Sequence, residues 1–313
     1  RRRPGRRLIT GRRMSELQTP RDESEVAEIV ATANRSREPL AIVGGGTRLG
    51  LGRPTQTATS LSTAALAGIT LYEPTELVLS ARAGTPLAEI EALLTSKGQR
   101  LPFEPMDHRG LLGSDGEPTI GGVVAANVSG PRRIQAGAAR DSLIGVRAIT
   151  GSGDIVKSGG RVMKNVTGYD LVKFIAGSYG TLAVLSEVTF KVEPRPEAES
   201  TLIFSGLDDT RAVAALSAAL GSPFAVTGAA HRPADGGTPA RTFVRLEGFQ
   251  ASVADRSARL AGELASFGPS ERVDGDASET LWRTVRDVEF LGDAEKLPIW
   301  RISTRPSLSL IHI

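Results

Sequence analysis

The run Pro118-Thr119-Ile120-Gly121-Gly122-Val123-Val124-Ala125-Ala126-Asn127-Val128-Ser129-Gly130 combines small residues with hydroxyl and amide groups. Such a run lets the start of a helix rest against a flat ligand while its polar side chains supply directional hydrogen bonds. A second glycine cluster lies upstream, where the apolar run Leu40 to Val43 reads as a buried strand leading directly into Gly44-Gly45-Gly46-Thr47. Glycine lets backbone N–H groups approach an anion and accepts positive φ, the two demands of a loop that wraps phosphate. Taken alone, this loop fits a plain tight turn equally well. It matches neither standard nucleotide motif: Leu49 stands where the dinucleotide fingerprint needs glycine, and no Gly-Lys-Ser/Thr is present. Downstream, Gly137-x-x-Arg140-Asp141 precedes a third cluster, Gly168-Tyr169-Asp170-Leu171 with Gly177-Ser178-Tyr179-Gly180-Thr181-Leu182. Three such clusters exceed what turns alone require.

The surrounding pattern alternates helix and strand. Asp22 with Glu25 reads as a capping box, followed by Val26, Ile29, Val30 and Ala33 on one helical face. Ile69 to Tyr72 and Leu77 to Ala83 read as strands, and Thr85-Pro86 opens a helix that Gly98 closes. Leu143 to Thr150 and Asp154 to Lys157 form a hairpin, and Ala183 to Val192 is one more strand. Pro194-Arg195-Pro196-Glu197 marks a boundary, because alternate prolines end a strand and stiffen a linker. Beyond it, Thr201 to Ser205, Thr210 to Leu220, Phe224 to Ala229, Thr242 to Glu247 and Val253 to Ser266 predict strand-helix-strand-strand-helix. This is a ferredoxin-like half sandwich lacking its last strand.

Composition narrows the chemistry. Of 313 residues, 40% are hydrophobic and 23% charged, which predicts a soluble globular protein. The absence of cysteine excludes disulfides, thiol nucleophiles, iron–sulfur ligation by this chain and a cysteinyl cofactor link, so redox chemistry here calls for an organic cofactor. The chain carries 38 basic and 35 acidic side chains, but seven arginines crowd the first thirteen residues, which leaves 31 basic against 35 acidic in the rest. That removes the case for a nucleic-acid partner. No apolar run approaches the roughly 20 residues needed to span a bilayer. The stretch 1–16 reads as a non-native or disordered basic leader with Met14 a plausible start, and 308–313 as translated adapter, so that the chain reads as a C-terminally truncated fragment.

Gly44-Gly45-Gly46-Thr47, Thr119-Ile120-Gly121-Gly122, Asn127-x-Ser129-Gly130, Arg140-Asp141 and Gly177-Ser178-Tyr179-Gly180-Thr181 together resemble the ordered signatures of the vanillyl-alcohol-oxidase, or PCMH-type, FAD-binding fold. More narrowly, four stretches are similar to the GlcE-type subunits of bacterial glycolate oxidase: Tyr72 to Leu77, Gly130-Pro131-Arg132-Arg133, Val162 to Leu171, and Pro298 to Ser303. The likeness runs from Leu17 to Ser303 and is thinner in its second part. It implies an α+β protein, with an FAD-binding domain of two α+β subdomains over 17–194 and a truncated ferredoxin-like α+β cap over 195–307.

By the same resemblance Gly44, Gly45, Gly46 and Thr47 hold the pyrophosphate of FAD through backbone amides. Thr119, Gly121, Gly122, Asn127, Ser129 and Gly130 contact the pyrophosphate and flavin side, Arg140 and Asp141 fix the local backbone, Gly180 and Thr181 line the cofactor's other face, and Val184 faces the adenine. Some members of the fold link flavin covalently through a histidine in the first loop. Thr47 and Arg48 stand there in this chain, so the resemblance implies non-covalent FAD and no metal. The implied function is that of the FAD-binding subunit of a complex oxidising glycolate to glyoxylate and passing electrons to a non-oxygen acceptor. Its partners would be a larger FAD-binding subunit and an iron–sulfur subunit. Its location would be cytoplasmic, with membrane contact only through those partners. A stand-alone dehydrogenase of the D-lactate type, or an assembly subunit with a vestigial flavin pocket, are the alternatives.

Oxidising a 2-hydroxy acid needs a cation for the carboxylate and a base for the hydroxyl proton. Arginine suits the first role, but the sequence offers only His108, His231 and His312 as histidine bases. His108 and His231 read as exposed polar residues of loops, and the catalytic residue stays unassigned. Lys164 and Asn165 either approach the flavin or hold the Gly168 corner. Trp282 and Trp300 read as core or interface anchors. Asn127-Val128-Ser129 and Asn165-Val166-Thr167 match the glycosylation pattern but fall inside proposed cofactor segments.

Overall fold

The structure, a computed structural model, describes residues 16–53, 55–160, 169–291 and 298–304. Residues 1–15 of the leader expected over 1–16, Lys164, Asn165, Gly168, the segment from 305 onward and His312 lie outside the described residues, while Glu16 of that leader is the first residue of a strand. The chain divides into two compact units, one drawn from 1–90, 116–126 and 143–190, the other from 91–115, 127–142 and 191–313.

In the first unit the helix Glu23–Ser36 starts at its N-cap Asp22, with the Glu25 carboxylate reaching back one residue beyond the cap. Asp22 accepts from Glu25 N at 2.9 Å, and Glu25 accepts from Arg21 N at 2.7 Å. Val26 and Val30 then pack on Leu61, Leu66, Ile149 and Val184. Each such burial stabilises by about 1.5–3 kcal/mol. Leu61 comes from a three-stranded parallel sheet ordered Glu16–Gln18, Thr59–Ser62, Leu40–Val43. Ile149 and Val184 come from a five-stranded sheet ordered Ile69–Glu73, Val78–Arg82, Ala183–Lys191, Leu143–Thr150, Ile155–Gly159. The short helix Ile120–Ala125 is pinned by Ile120 N to Thr85 O at 3.0 Å and Gly121 N to Ala83 O at 2.8 Å.

The second unit is built on a four-stranded antiparallel sheet ordered Gly228–Arg232, Arg241–Gly248, Ala198–Ser205, Ser270–Asp274. The helices Asp209–Gly221 and Gln250–Glu263 contribute Ala212, Ala215, Ala219 and Leu260 to a core with Leu202, Phe204, Val244 and Leu246. The alternate residues Ile203 and Phe243 pack with Trp282 of the helix Gly275–Arg286, as the period of two along a strand demands.

Two sequence expectations change here. The sheet does not lack its last strand: Ser270–Asp274 pairs antiparallel with Ala198–Ser205. That edge strand escapes a hydrophobic reading because Ser-Glu-Arg-Val-Asp is polar and none of its residues is fully buried. The strand expected at Phe224 to Ala229 forms instead at Gly228–Arg232. Ala225 stands at φ 52, so Phe224 and Val226 reach the core from a bent segment rather than a pleated one.

Candidate functional site

In the first unit three chain segments meet at glycines. The first glycine loop follows the strand Leu40–Val43, and Gly46 has φ 75, a conformation that costs glycine little. A Cβ on Gly44 would fall 2.3 Å from Thr119 Oγ1, and one on Gly121 would fall 2.7 Å from Ala83. Thr119 caps its helix by accepting from Gly122 N at 3.3 Å. The third segment closes over the far end of that helix, with Gly177 N donating to Val124 O at 3.0 Å and Tyr179 N to Ala125 O at 2.8 Å. Tyr179 at φ 55 and Gly180 at φ 76 make the sharp bend this requires.

The result is a narrow slot lined by Gly44, Gly121, Gly122, Ser178 and Gly180, among others. A wider cavity of about 240 Å³ shares Ile42, Gly180 and Ala183 with it and runs on to Thr181, Ile149 and Val184. Slot and cavity adjoin along these shared residues as one groove, glycine-lined in the slot and mixed in the cavity, where Asn34, Glu38 and Thr150 join the aliphatic side chains.

Two observations test whether this groove suits an extended dinucleotide. Among the described residues nothing accepts a hydrogen bond from Gly45 N or Gly46 N. Ser178 Oγ is buried in the slot lining with no hydrogen-bond partner among them. An unsatisfied buried hydroxyl is costly and calls for a partner, and half-buried amides without an acceptor are free to take one. A phosphate diester supplies acceptor oxygens for such amides and hydroxyls, and the aliphatic side chains of Ile42, Ile149 and Val184 offer a surface to a flat heteroaromatic ring. The residues fit FAD.

The structure thus brings Gly44, Gly45, Gly46, Thr47, Thr119, Gly121, Gly122, Gly180, Thr181 and Val184 into one unit. Asn127, Ser129, Gly130, Arg140 and Asp141 belong to the second unit, where the side chains of Asn127, Ser129 and Asp141 hold the backbone of Ala138 to Arg140. Asn127 Oδ1 accepts from Arg140 N at 3.0 Å, Ser129 Oγ from Ala139 N at 3.0 Å, and Asp141 Oδ2 from Ala138 N at 2.8 Å. Ser178 was missed as a site residue. The Gly177 to Thr181 motif carried a signal, but only the fold reveals a buried hydroxyl.

Both histidine readings are corrected. His108 is buried, 6% exposed, with Nδ1 3.3 Å from Met106 O. His231 shares hydrogen bonds with Thr242 Oγ1 at 2.9 Å and Asp209 Oδ1 at 3.1 Å, a strand-to-helix brace. His108 is a loop residue as read but a buried one, whereas His231 sits in a strand and its partners lie 11 and 22 positions away, out of reach of a local reading. Trp282 is a core residue, 2% exposed, whereas Trp300 is 82% exposed. Among the described residues no group of acidic or histidine side chains could hold a metal, and no helix is long and apolar enough to cross a membrane.

Fold and groove define a class: the PCMH-type FAD-binding flavoproteins, α+β proteins that use FAD as cofactor. The family model described as an FAD binding domain matches residues 16–159. Among solved structures, an alkyldihydroxyacetonephosphate synthase superposes with a TM-score of 0.70 at 19% identity, covering 88% of this chain and 55% of that one. Glycolate oxidase subunit GlcE of Escherichia coli K12 is 37% identical over 276 residues, covering 88% of this chain and 71% of that protein. Glycolate oxidase subunit GlcD of Bacillus subtilis is 31% identical over 185 residues, covering 59% of this chain and 38% of that protein. The chain belongs to the GlcE-like family of FAD-binding flavoproteins.

Proposed function

We propose that this chain is the FAD-binding subunit of a glycolate oxidase complex, which oxidises glycolate to glyoxylate and passes the electrons to a non-oxygen acceptor. The observation that carries the reading is the 37% identity to GlcE over 276 residues, a length that takes in both units. A larger FAD-binding subunit of the GlcD kind is one partner, and an iron–sulfur subunit the other. Contact with a membrane runs through those partners. The FAD-binding domain spans 17–194, and the cap begins at 195.

When bound, FAD supplies a two-electron acceptor for a 2-hydroxy acid. The chain's own residues hold it. The amides of Gly44, Gly45, Gly46 and Thr47 bind the pyrophosphate, with Thr119, Gly121 and Gly122 packed beneath them. Gly180, Thr181 and Val184 receive the adenine end in the adjoining cavity. Asn127, Ser129, Gly130, Arg140 and Asp141 shape the segment toward the flavin. The cofactor is non-covalent, since Thr47 and Arg48 offer no nucleophilic imidazole in the first loop.

Co-expression with the two partner subunits tests the reading. The expected result is a flavin-containing complex that reduces an artificial dye with glycolate, while this chain alone is yellow but inactive. Dye reduction by this chain alone would move the activity to a self-sufficient dehydrogenase, and a colourless chain with excess FAD would end the flavoprotein reading.

A further inference from the structure

The second unit contains a cavity of about 320 Å³ with no role in the groove described above. Two carboxylates, Glu104 in its lining and Glu247 behind it, are clamped by arginine forks. Glu104 receives Arg245 Nη1 and Nη2 at 2.8 and 2.9 Å. Glu247 receives Arg132 Nη2 and Nε at 2.6 and 2.9 Å, and Arg100 Nη1 at 2.5 Å. Trp282, also in the lining, stacks its ring on Arg245 at 4.4 Å and donates to Thr201 Oγ1 at 2.7 Å.

A third carboxylate is treated differently. Glu199 lies directly across the strand pair from Glu247 and lines the cavity. It accepts from Ser278 Oγ at 2.8 Å, and its nearest recorded cation, Arg245 Nη1, stands 3.9 Å away. Burial pushes its carboxyl up to about 7; Arg245 opposes that rise, and Glu247 and Glu104 add to it. The helix Leu87–Ser96 contributes Glu91, which burial also raises, and the helix Gly275–Arg286 contributes Glu279, Arg283 and Arg286. Glu279 is paired with Arg195 at 3.2 Å, and Arg286 with Asp287 at 2.7 Å.

Donors are left over. Arg100 Nε is buried and has no acceptor among the described residues. Arg283, on the exposed side, has Thr280 Oγ1 at 2.8 Å as its only recorded acceptor among them. Six arginines and four glutamates line the cavity, and Glu247 and Asp287 pair with them from behind. With every acid ionised the set is neutral. With one proton on Glu199 it has room for one negative charge.

We propose that this cavity binds a small carboxylate monoanion on Arg100 and Arg283, and that Glu199 takes up one proton from solvent as the anion enters. The planar guanidinium fork matches a carboxylate. A second ionised carboxylate beside the ligand would repel it in this desolvated setting, so ligand and proton bind together. No bond forms or breaks other than the O–H of Glu199.

The test is a fluorescence titration with acetate on the FAD-loaded full chain carrying Trp300→Phe, which leaves Trp282 as the sole indole. Saturable quenching is expected, with affinity level below pH 7 and falling about tenfold per pH unit above it. Calorimetry in two buffers of different ionisation heat should show proton uptake near neutral pH. Arg100→Gln should weaken acetate about tenfold or more. Glu199→Gln should keep binding but lose both the pH slope and the proton uptake. Equal responses to chloride or phosphate, no saturation, or an unchanged pH slope in Glu199→Gln would each overturn the proposal.

Discussion

Gly45 sits so close to the backbone of Glu117 that a Cβ on it would stand 1.6 Å from the Glu117 carbonyl oxygen. The contact is reciprocal, for a Cβ on Gly116 would meet Gly45 O at 1.7 Å. Two backbones interlock here, and neither can yield as a flexible side chain would. Gly45→Ala should therefore lose about 2 kcal/mol or more of stability and release FAD. Gly52→Ala is the contrast: its φ of 74 is strained for alanine, but the space is open, so a loss of about 1–2 kcal/mol with FAD retained is expected. Denaturant melts and flavin absorbance after gel filtration distinguish the two.

Ser178→Ala separates cofactor binding from folding. The hydroxyl it removes is buried without a partner, so the FAD-free variant should melt at or above the parent's temperature. A lost hydrogen bond to bound FAD should weaken affinity by about 1 kcal/mol, roughly fivefold. Fluorescence titration of FAD measures this, and an unchanged affinity would remove Ser178 from the site.

Asn127 stands at φ 48 and accepts from Arg140 N. Asn127→Ala loses the bond and keeps the unfavourable backbone, so about 2 kcal/mol of destabilisation is expected. Asn127→Gly relieves the backbone and should cost less than half as much. Thermal melts of the pair check whether Asn127 braces its segment as the geometry states.

Glu199 and Glu247 should shape the stability profile with opposite signs. The folded chain keeps Glu199 protonated up to about 7, against 4.5 as the ordinary value. Stability from this residue therefore falls as pH rises from 4.5 to 7. Burial pushes Glu247 up as well, but Arg132, Arg245 and Arg100 outweigh it and hold the carboxyl well below the usual range. Its contribution is present above about 4.5 and lost as pH falls below that. Glu199→Gln should gain on the order of 2 kcal/mol relative to the parent between pH 5 and pH 8, and Glu247→Gln should flatten the acid limb. Urea unfolding across that range reads both.

Much of the fold was legible locally. The Asp22 to Glu25 box, the Gly98 helix stop at φ 63 and the Leu143 to Thr150 hairpin strand each depend on residues a few positions apart, and each appears as the pattern predicts. The glycine clusters were legible for the same reason: the need for glycine is written into the backbone at that residue. The polar edge strand Ser270–Asp274 was not legible, because an edge strand is held by backbone pairing that any side chain permits.

The amino-acid sequence alone determined most helices and strands of the first unit, though not the parallel strands Glu16–Gln18 and Thr59–Ser62, together with the glycine loops, the want of any cysteine chemistry and the FAD-binding class. All of these rest on short-range pattern and composition. Only the tertiary structure decided that His108 is buried, that Ser178 lines the groove, and that of two identical glutamates on neighbouring strands one is ionised and the other holds its proton near neutrality. The physical reason is that a side chain's charge state is set by burial and by partners far away in the chain. Arg100 is 147 residues from Glu247, and Glu104 is 141 from Arg245.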